Sequence, residues 1–305
     1  MATRPVVVIN HATDPLALEI VTLLDEAADL QLDLRLCTDE PRALASGYAH
    51  YAGRDVAFVR RTPQALAGAR LALLGDETGV EPATTRITLL GERPTPGATV
   101  ALLEVDPDAL DEATRHIEVP DGVSTALALI AEALSPSIKR IGGTVLEPVA
   151  SRGPKALEEL YEQTRALFAR TELPTEILGD RLAFNVLAQP DRTLDLAAVL
   201  GGAPPVALRR LLVPVFGGTT LALELVVGPL SSAQAQAKLA AQEGLAIDDA
   251  PSPASAVGTD AVQVLAPGDG DKRGEILRVY AVVDEVRRTA KNFVDVIRAV
   301  LAQET

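Results

Sequence analysis

A single cysteine, Cys37, stands in 305 residues, which excludes an internal disulfide framework and any cysteine metal cluster. Histidine is nearly as scarce: His11, His50 and His116 make no ligand spacing, and no metal site is expected. No apolar run approaches the roughly 18 to 20 residues of a membrane span, and the N-terminus lacks the basic-then-apolar layout of a signal peptide. A cytoplasmic protein is expected. No cluster of Lys or Arg offsets the formal charge of −14, so phosphate backbones and anionic membranes are poor partners and neither nucleic acid nor membrane binding is expected.

What is present suits a folded chain of two domains or one large one, since 48% of the residues are hydrophobic. Arginine far outnumbers lysine and alanine is abundant, a usage that points to a GC-rich bacterial gene. The first half alternates apolar strands, at 5–10, 31–37, 56–59, 71–75 and 98–103, with helical patterns. Leu16, Ile20, Leu23 and Leu24 mark the first helix. That alternation predicts a parallel, doubly wound sheet. From about 123 the grammar changes. A helix over 123–134 and a strand leading into TVLEPVASRGP precede an amphipathic helix at 156–170, and then strands dominate, at 182–188, 211–216, 221–227, 260–266 and 276–283. This pattern describes an α+β domain on a mostly antiparallel sheet. A last helix over 286–301 carries one apolar stripe, and the Pro/Gly/Ser-rich segment 248–260 reads as a surface loop.

One further absence bears on function. Val6 to Ile20 has the outline of the strand, turn and helix that open a dinucleotide-binding domain, yet the turn His11-Ala12-Thr13-Asp14-Pro15-Leu16-Ala17 holds no glycine. Such turns use glycine to bring backbone close to a pyrophosphate and to pack helix on strand. Asp14 followed by Pro15 is a good helix start, and the Asp14 carboxylate is expected to accept from the free amides a phosphate would use. The next strand ends carry Asp39 and Glu40, then Asp76 and Glu77. Each like-charge contact at about 4 Å would cost a bound phosphate on the order of 4 kcal/mol at an effective dielectric near 20, before solvent screening.

In order, GPKALEELYEQTRALF (153–168), LAFNVLAQ (182–189), VPVFGGTTLALEL (213–225), GPLSSAQAQAKLAAQEGLAIDD (228–249) and YAVVDEVRRTAKNFVDVI resemble the aspartate-semialdehyde dehydrogenase family. The resemblance covers nearly the whole chain. It implies a Rossmann-type NAD(P)-binding domain from 1–122 plus 285–305, and a catalytic and dimerisation domain over 123–284. In that family a cysteine thiolate attacks the aldehyde, hydride passes to NADP and phosphate releases the acyl group. The segment matching the family's Asn-Pro-Asn-Cys-Ser-Thr is PDGVST, which puts Val123 at the nucleophile position. PVFGGTT puts Thr219 at the position of the general-base histidine, Leu212 falls where the substrate-binding arginine would stand, and Pro148 falls at the glutamine position. Arg210 could offer a weak anion contact on the same strand face.

No catalytic residue is therefore expected, and no cofactor, the family's NADP included. The loop residues His11, Thr13, Asp14 and Ala17 are read as vestigial. Cys37 is read as structural, His11 as a surface turn residue, and Lys155 and Arg152 as a solvated helix start. The resemblance favours an inactive relative kept as a binding or structural partner. A homodimer, or a heterodimer with an active paralogue, is expected through the 221–227 and 276–283 strands, with the 156–170 helix covering one sheet face. A different reaction on the same fold, or an active semialdehyde dehydrogenase whose groups lie elsewhere, stay open as alternatives.

Overall fold

The structure, a computed structural model, describes residues 4–190, 196–270 and 274–303. The chain divides into two compact units, Met1–Asp121 with Val286–Thr305, and Gly122–Glu285.

In the first unit β1 (Val6–Ile9), β2 (Asp33–Cys37), β3 (Tyr48–Tyr51), β4 (Arg54–Val59), β5 (Leu71–Leu73), β6 (Thr85–Leu89), β7 (Thr99–Val100) and β8 (His116–Val119) form one sheet. Its order is β3-β4-β2-β1-β5-β6-β8-β7, parallel throughout except that β3 and β4 form an antiparallel hairpin. The order turns around at β1, which pairs with β2 on one side and β5 on the other. Three helices follow in this unit, α1 (Pro15–Glu26), α2 (Pro41–Ser46) and α3 (Pro63–Leu66). Along β1 the side chains alternate between two cores. Val7 and Ile9 join a large cluster with Ile20 and Leu24 of α1, whereas Val8 faces Cys37 and Leu66. Burial on both faces explains the uninterrupted apolar run of this strand.

The second unit is built on β9 (Ile138–Glu147), β10 (Leu187–Gln189), β11 (Val206–Leu212), β12 (Thr219–Val227), β13 (Leu245–Ile247), β14 (Val262–Val264), β15 (Gly268–Asp269) and β16 (Ile276–Val283). Its order is β10-β11-β9-β12-β16-β14-β13, with β15 also paired to β16. The pairs are mostly antiparallel, with β11–β9 and β13–β14 parallel. Helices α4 (Gly122–Leu134), α5 (Pro154–Ala169), α6 (Leu196–Leu200), α7 (Ser232–Ala241) and α8 (Pro253–Ala256) accompany it. No helix among the described residues is long and apolar enough to cross a membrane.

Four expectations are corrected here. The helix that touches β16 and β13 is α4, not α5. Eleven of its residues are buried, from Gly122 through Leu134, as a helix apolar on nearly all sides must be. Helix α5 instead packs on a separate small core of Val149, Leu182, Ala183 and Leu212. Segment 182–188 is not a strand: Phe184 sits at φ 56° and the Asn185 amide turns back to the Leu182 carbonyl, so only Leu187–Gln189 pairs. The strand read at 211–216 runs instead over Val206–Leu212. The loop at 248–260 also contains the short helix α8, capped by Ser252.

The last helix, α9 (Glu285–Ala302), lies in the first unit from Val286 onward and buries Phe293, Val296, Ile297 and Val300 in the same cluster as α1. Its Arg288 is wholly buried and pairs with Glu104, whose side chain is nearly enclosed, while Asn292 donates to the Pro120 carbonyl at 2.9 Å. Removing one member of a buried pair leaves the other charge stranded. Glu104→Leu is therefore expected to destabilise the protein by about 3 to 5 kcal/mol, measured by urea unfolding. Glu104→Leu combined with Arg288→Met should recover most of that loss.

Candidate functional site

In an open, doubly wound sheet ligands settle at the carboxyl ends of the strands where the order reverses. In the first unit that place is the ends of β1, β2, β4 and β5, and a cavity of about 290 Å³ lies there. It is lined by Asn10 and His11 after β1, Cys37, Thr38 and Asp39 at the end of β2, Arg61 after β4, and Gly75 and Asp76 after β5. His11, Cys37, Asp39 and Asp76 are thus brought together.

The glycine-free turn keeps a glycine-like backbone. His11 adopts φ 50°, a left-handed conformation in which histidine is among the better tolerated non-glycine residues. The Ala12 amide donates to the Cys37 carbonyl and the Asp14 amide to the His11 carbonyl, at 2.9 and 2.8 Å. Thr13 Oγ1 and Thr38 Oγ1 lie 3.2 Å apart, tying the turn to the end of β2. Ala17 is buried in α1 against the sheet.

Asp14 requires a correction. It is the N-cap of α1 by backbone position, but its carboxylate makes no capping hydrogen bond and stands exposed. Its effect on an anion is therefore one of charge, a carboxylate placed where the positive end of the helix would otherwise attract phosphate.

The strand ends also differ from four bare acids. Asp76 accepts from the Thr78 amide at 3.0 Å and from Arg61 Nη2 at 2.9 Å. Those contacts, the Thr78 amide foremost, hold its carboxyl below the usual range. Arg61 also donates to the Thr78 carbonyl at 2.6 Å. Glu77 lies 3.7 Å from Arg86, and Glu40 is the N-cap of α2 without a side-chain bond. Asp39 has neither hydrogen bond nor ion pair among the described residues. Sequence reasoning missed Arg61 and Asn10. Their signal was position, since each follows the end of a strand at the crevice.

Cys37 is 1% exposed, and burial pushes its thiol above the ordinary value despite Arg61 and Arg35 nearby. A thiol held protonated is a poor nucleophile.

In the second unit the four family positions form two small clusters. Val123 is buried at the second residue of α4, after Gly122, where an added Cβ would lie 2.7 Å from the Glu285 carbonyl oxygen. Thr219 begins β12, is wholly buried, and donates from Oγ1 to Glu285 Oε2 at 3.1 Å. Glu285 thus bonds Thr219 through its carboxylate and passes Gly122, the neighbour of Val123, through its backbone. Ser124 and Thr125 beside Val123 are buried as well.

Leu212 ends β11 opposite Glu147 of β9 and packs into the core under α5. Pro148 is buried and caps the short 3-10 turn Val149–Arg152. Between them the buried Glu147 carboxylate takes Arg210 in a close hydrogen bond and lies 3.9 Å from Arg152, which also bonds Gln189. Arg210 and Arg152 thus both face an internal carboxylate. Lys155 lines a separate groove along α5 with Glu158, Glu162 and Glu172. No group of His, Cys, Asp and Glu among the described residues could hold a metal ion.

The state of Cys37 is open to a direct check. It is expected to react with iodoacetamide at pH 7.5 at least about tenfold more slowly than a free thiol, and to label fully once the protein is unfolded.

No protein-family model matches the sequence. Over 199 residues, 57% of this chain, it is 24% identical to an aspartate-semialdehyde dehydrogenase of Rickettsia bellii, and the match spans 58% of that relative's length. Among solved structures, aspartate semialdehyde dehydrogenase II of Vibrio cholerae, complexed with ASA, superposes over the whole of both chains with a TM-score of 0.87 at 19% identity. A probable aspartate-semialdehyde dehydrogenase of Pseudomonas aeruginosa gives 0.87 at 22% identity, covering 99% of this chain and 100% of that one.

Proposed function

We propose that this chain, which is similar in sequence to aspartate-semialdehyde dehydrogenases and shares their fold, is a cytoplasmic protein that has kept that fold as a dimeric binding or structural partner without the dehydrogenase reaction. The observation that carries this reading is the pair Val123 and Thr219. A valine side chain has no lone pair with which to attack an aldehyde and no proton to lose. A threonine hydroxyl does not titrate near neutral pH, and this one is already engaged with Glu285. The chain's sole thiol, Cys37, is buried in the other unit and held protonated.

NADP, which the fold implies, does not fit the first unit. Its pyrophosphate would meet the exposed Asp14 at the start of α1, and its 2′-phosphate would meet Asp39.

A dimer formed through the second sheet accompanies this reading. On β12, Leu221, Leu223, Leu225 and Val227 are buried while Ala222 and Glu224 are exposed. Together with Thr144, Arg278 and Tyr280 these last two line an open groove of about 600 Å³ on the outer sheet face. Glu224 and Arg278 pair across that face at 3.7 Å. A second copy meeting this surface about a two-fold axis would cover it, and the contact does not depend on any catalytic group.

Purified protein is expected to give no reduction of NADP with aspartate semialdehyde and phosphate, and no covalent acyl-enzyme by mass spectrometry. Turnover that survives rigorous removal of host dehydrogenase would contradict the reading. Restoring both groups in Val123→Cys with Thr219→His should leave the protein inactive, since the cofactor still has no place. Light scattering over a dilution series should report a dimer at micromolar concentration. A monomer there that fails to pair with an active paralogue would rule out the dimer.

A further inference from the structure

Helix α5 ends at Arg170, which takes φ 57°, and the chain then returns along the helix. The Thr171 amide donates to the Ala166 carbonyl, Gln163 Nε2 to the Pro174 carbonyl at 2.8 Å, and the Ile177 and Leu178 amides to Glu159 at 2.7 and 2.8 Å. Gln163 Oε1 also accepts from the Leu182 and Ala183 amides. Both clamping side chains are buried, Gln163 wholly. Segment 171–177, which is neither helix nor strand, is thus fixed by two polar side chains that α5 supplies. Between it and the helix runs an open groove of about 720 Å³. A wall held this way is formed before any partner arrives, which lowers the ordering cost of binding.

The groove combines apolar surface with an excess of acid. Ala166, Ala169, Pro174 and Ile177 supply the apolar part, and Ile177 is 50% exposed although its own amide is engaged. Glu158, Glu159, Glu162 and Glu172 stand against two cations, Lys155 and Arg165. Glu159 is engaged by the two amides and Glu162 by Arg165 at 3.0 Å, while Glu158 and Glu172 make no hydrogen bond or ion pair with any described residue. Arg165 also lies 5.7 Å over the Tyr161 ring, and one turn on the helix exposes Phe168, edge-on to the exposed Phe184 at 6.0 Å. A chain with five phenylalanines sets two of them in water beside this groove, and exposed aromatic surface of this kind marks protein contacts.

From Lys155 to Ala169 the helix spans about 21 Å, or about four turns, at the α-helical rise. We propose that this groove receives a basic amphipathic helix of another protein, its apolar face against Ala166, Ala169, Pro174 and Ile177 and its lysines or arginines against Glu158 and Glu172. A second copy of this chain is disfavoured because it brings the same formal charge of −14, and that charge also repels nucleic acid and anionic membrane. The groove shares no residue with the outer sheet face or with Val123, Thr219, Leu212 and Pro148, so its occupancy depends neither on the dimer nor on the absence of the dehydrogenase reaction.

Fluorescence anisotropy of the full chain tests it, with a labelled Leu/Lys peptide of about 14 residues patterned as an amphipathic helix. A Leu/Glu peptide of the same pattern and a Ser/Lys peptide of the same charge serve as controls. The Leu/Lys peptide should bind saturably at micromolar concentration, at least about tenfold more tightly than either control. Glu158→Lys with Glu172→Lys, both exposed positions, should weaken it about tenfold and let the Leu/Glu peptide bind instead. No saturable binding by about 100 μM, equal binding of the Ser/Lys peptide, or unchanged binding in the charge-reversed variant would each overturn the proposal. Loss of the dimer by light scattering in that variant would overturn it too, by giving the groove to a second copy.

Discussion

The field at the start of α1 decides what the first unit can hold. A helix N-terminus exposes amides and a partial positive charge, and a doubly wound sheet aims that end at its crevice. Here Pro15 removes one donor and Asp14 adds a full negative charge at the same point, without consuming the remaining amides in a cap. The backbone path survives the loss of glycine because His11 accepts the left-handed conformation and Ala12 bonds to the end of β2. In the proposed reading shape and charge have come apart: the backbone turn is kept while a carboxylate stands at the helix start.

A similar substitution runs through the second unit. Polar groups at the positions singled out there are satisfied within the protein. Thr219 bonds to Glu285, and Arg210 and Arg152 converge on the buried Glu147. Leu212 joins a small core and Pro148 is buried, and buried apolar area is stabilising. Internal satisfaction of this kind favours stability, since a catalytic site holds groups poised and partly unpaired. Buried Arg288 with Glu104, and Asn292 on the Pro120 carbonyl, give the first unit a comparable polar anchor for its last helix.

Much of the fold was legible because period and burial agree. The apolar runs that became β1, β2, β5, β12 and β16 and the stripes of α1 and α9 announce themselves. β6 and β8 were missed because Thr-Arg-Ile-Thr-Leu and His-Ile-Glu-Val mix polar residues into strands whose partners lie about 30 residues away. LAFNVLA misled for the opposite reason: it is apolar enough for a strand, yet a left-handed Phe184 breaks it. At the site, residue types were readable and their partners were not. No spacing rule joins Thr219 to Glu285 across 66 residues or Arg61 to Asp76 across 15. So Asp14 was expected to cap and Asp76 to stand bare, and the fold arranged both otherwise.

Binding of the reduced cofactor itself probes the central claim most directly, since it needs no catalysis. Calorimetry of the unmodified chain with NADPH should show no saturable heat up to millimolar cofactor, and lowering the salt should not reveal any, because Asp14 and Asp39 repel the phosphates more strongly as screening falls. Saturable binding in the micromolar range would contradict the account, and would mean that the Asp14 turn accommodates the pyrophosphate after all.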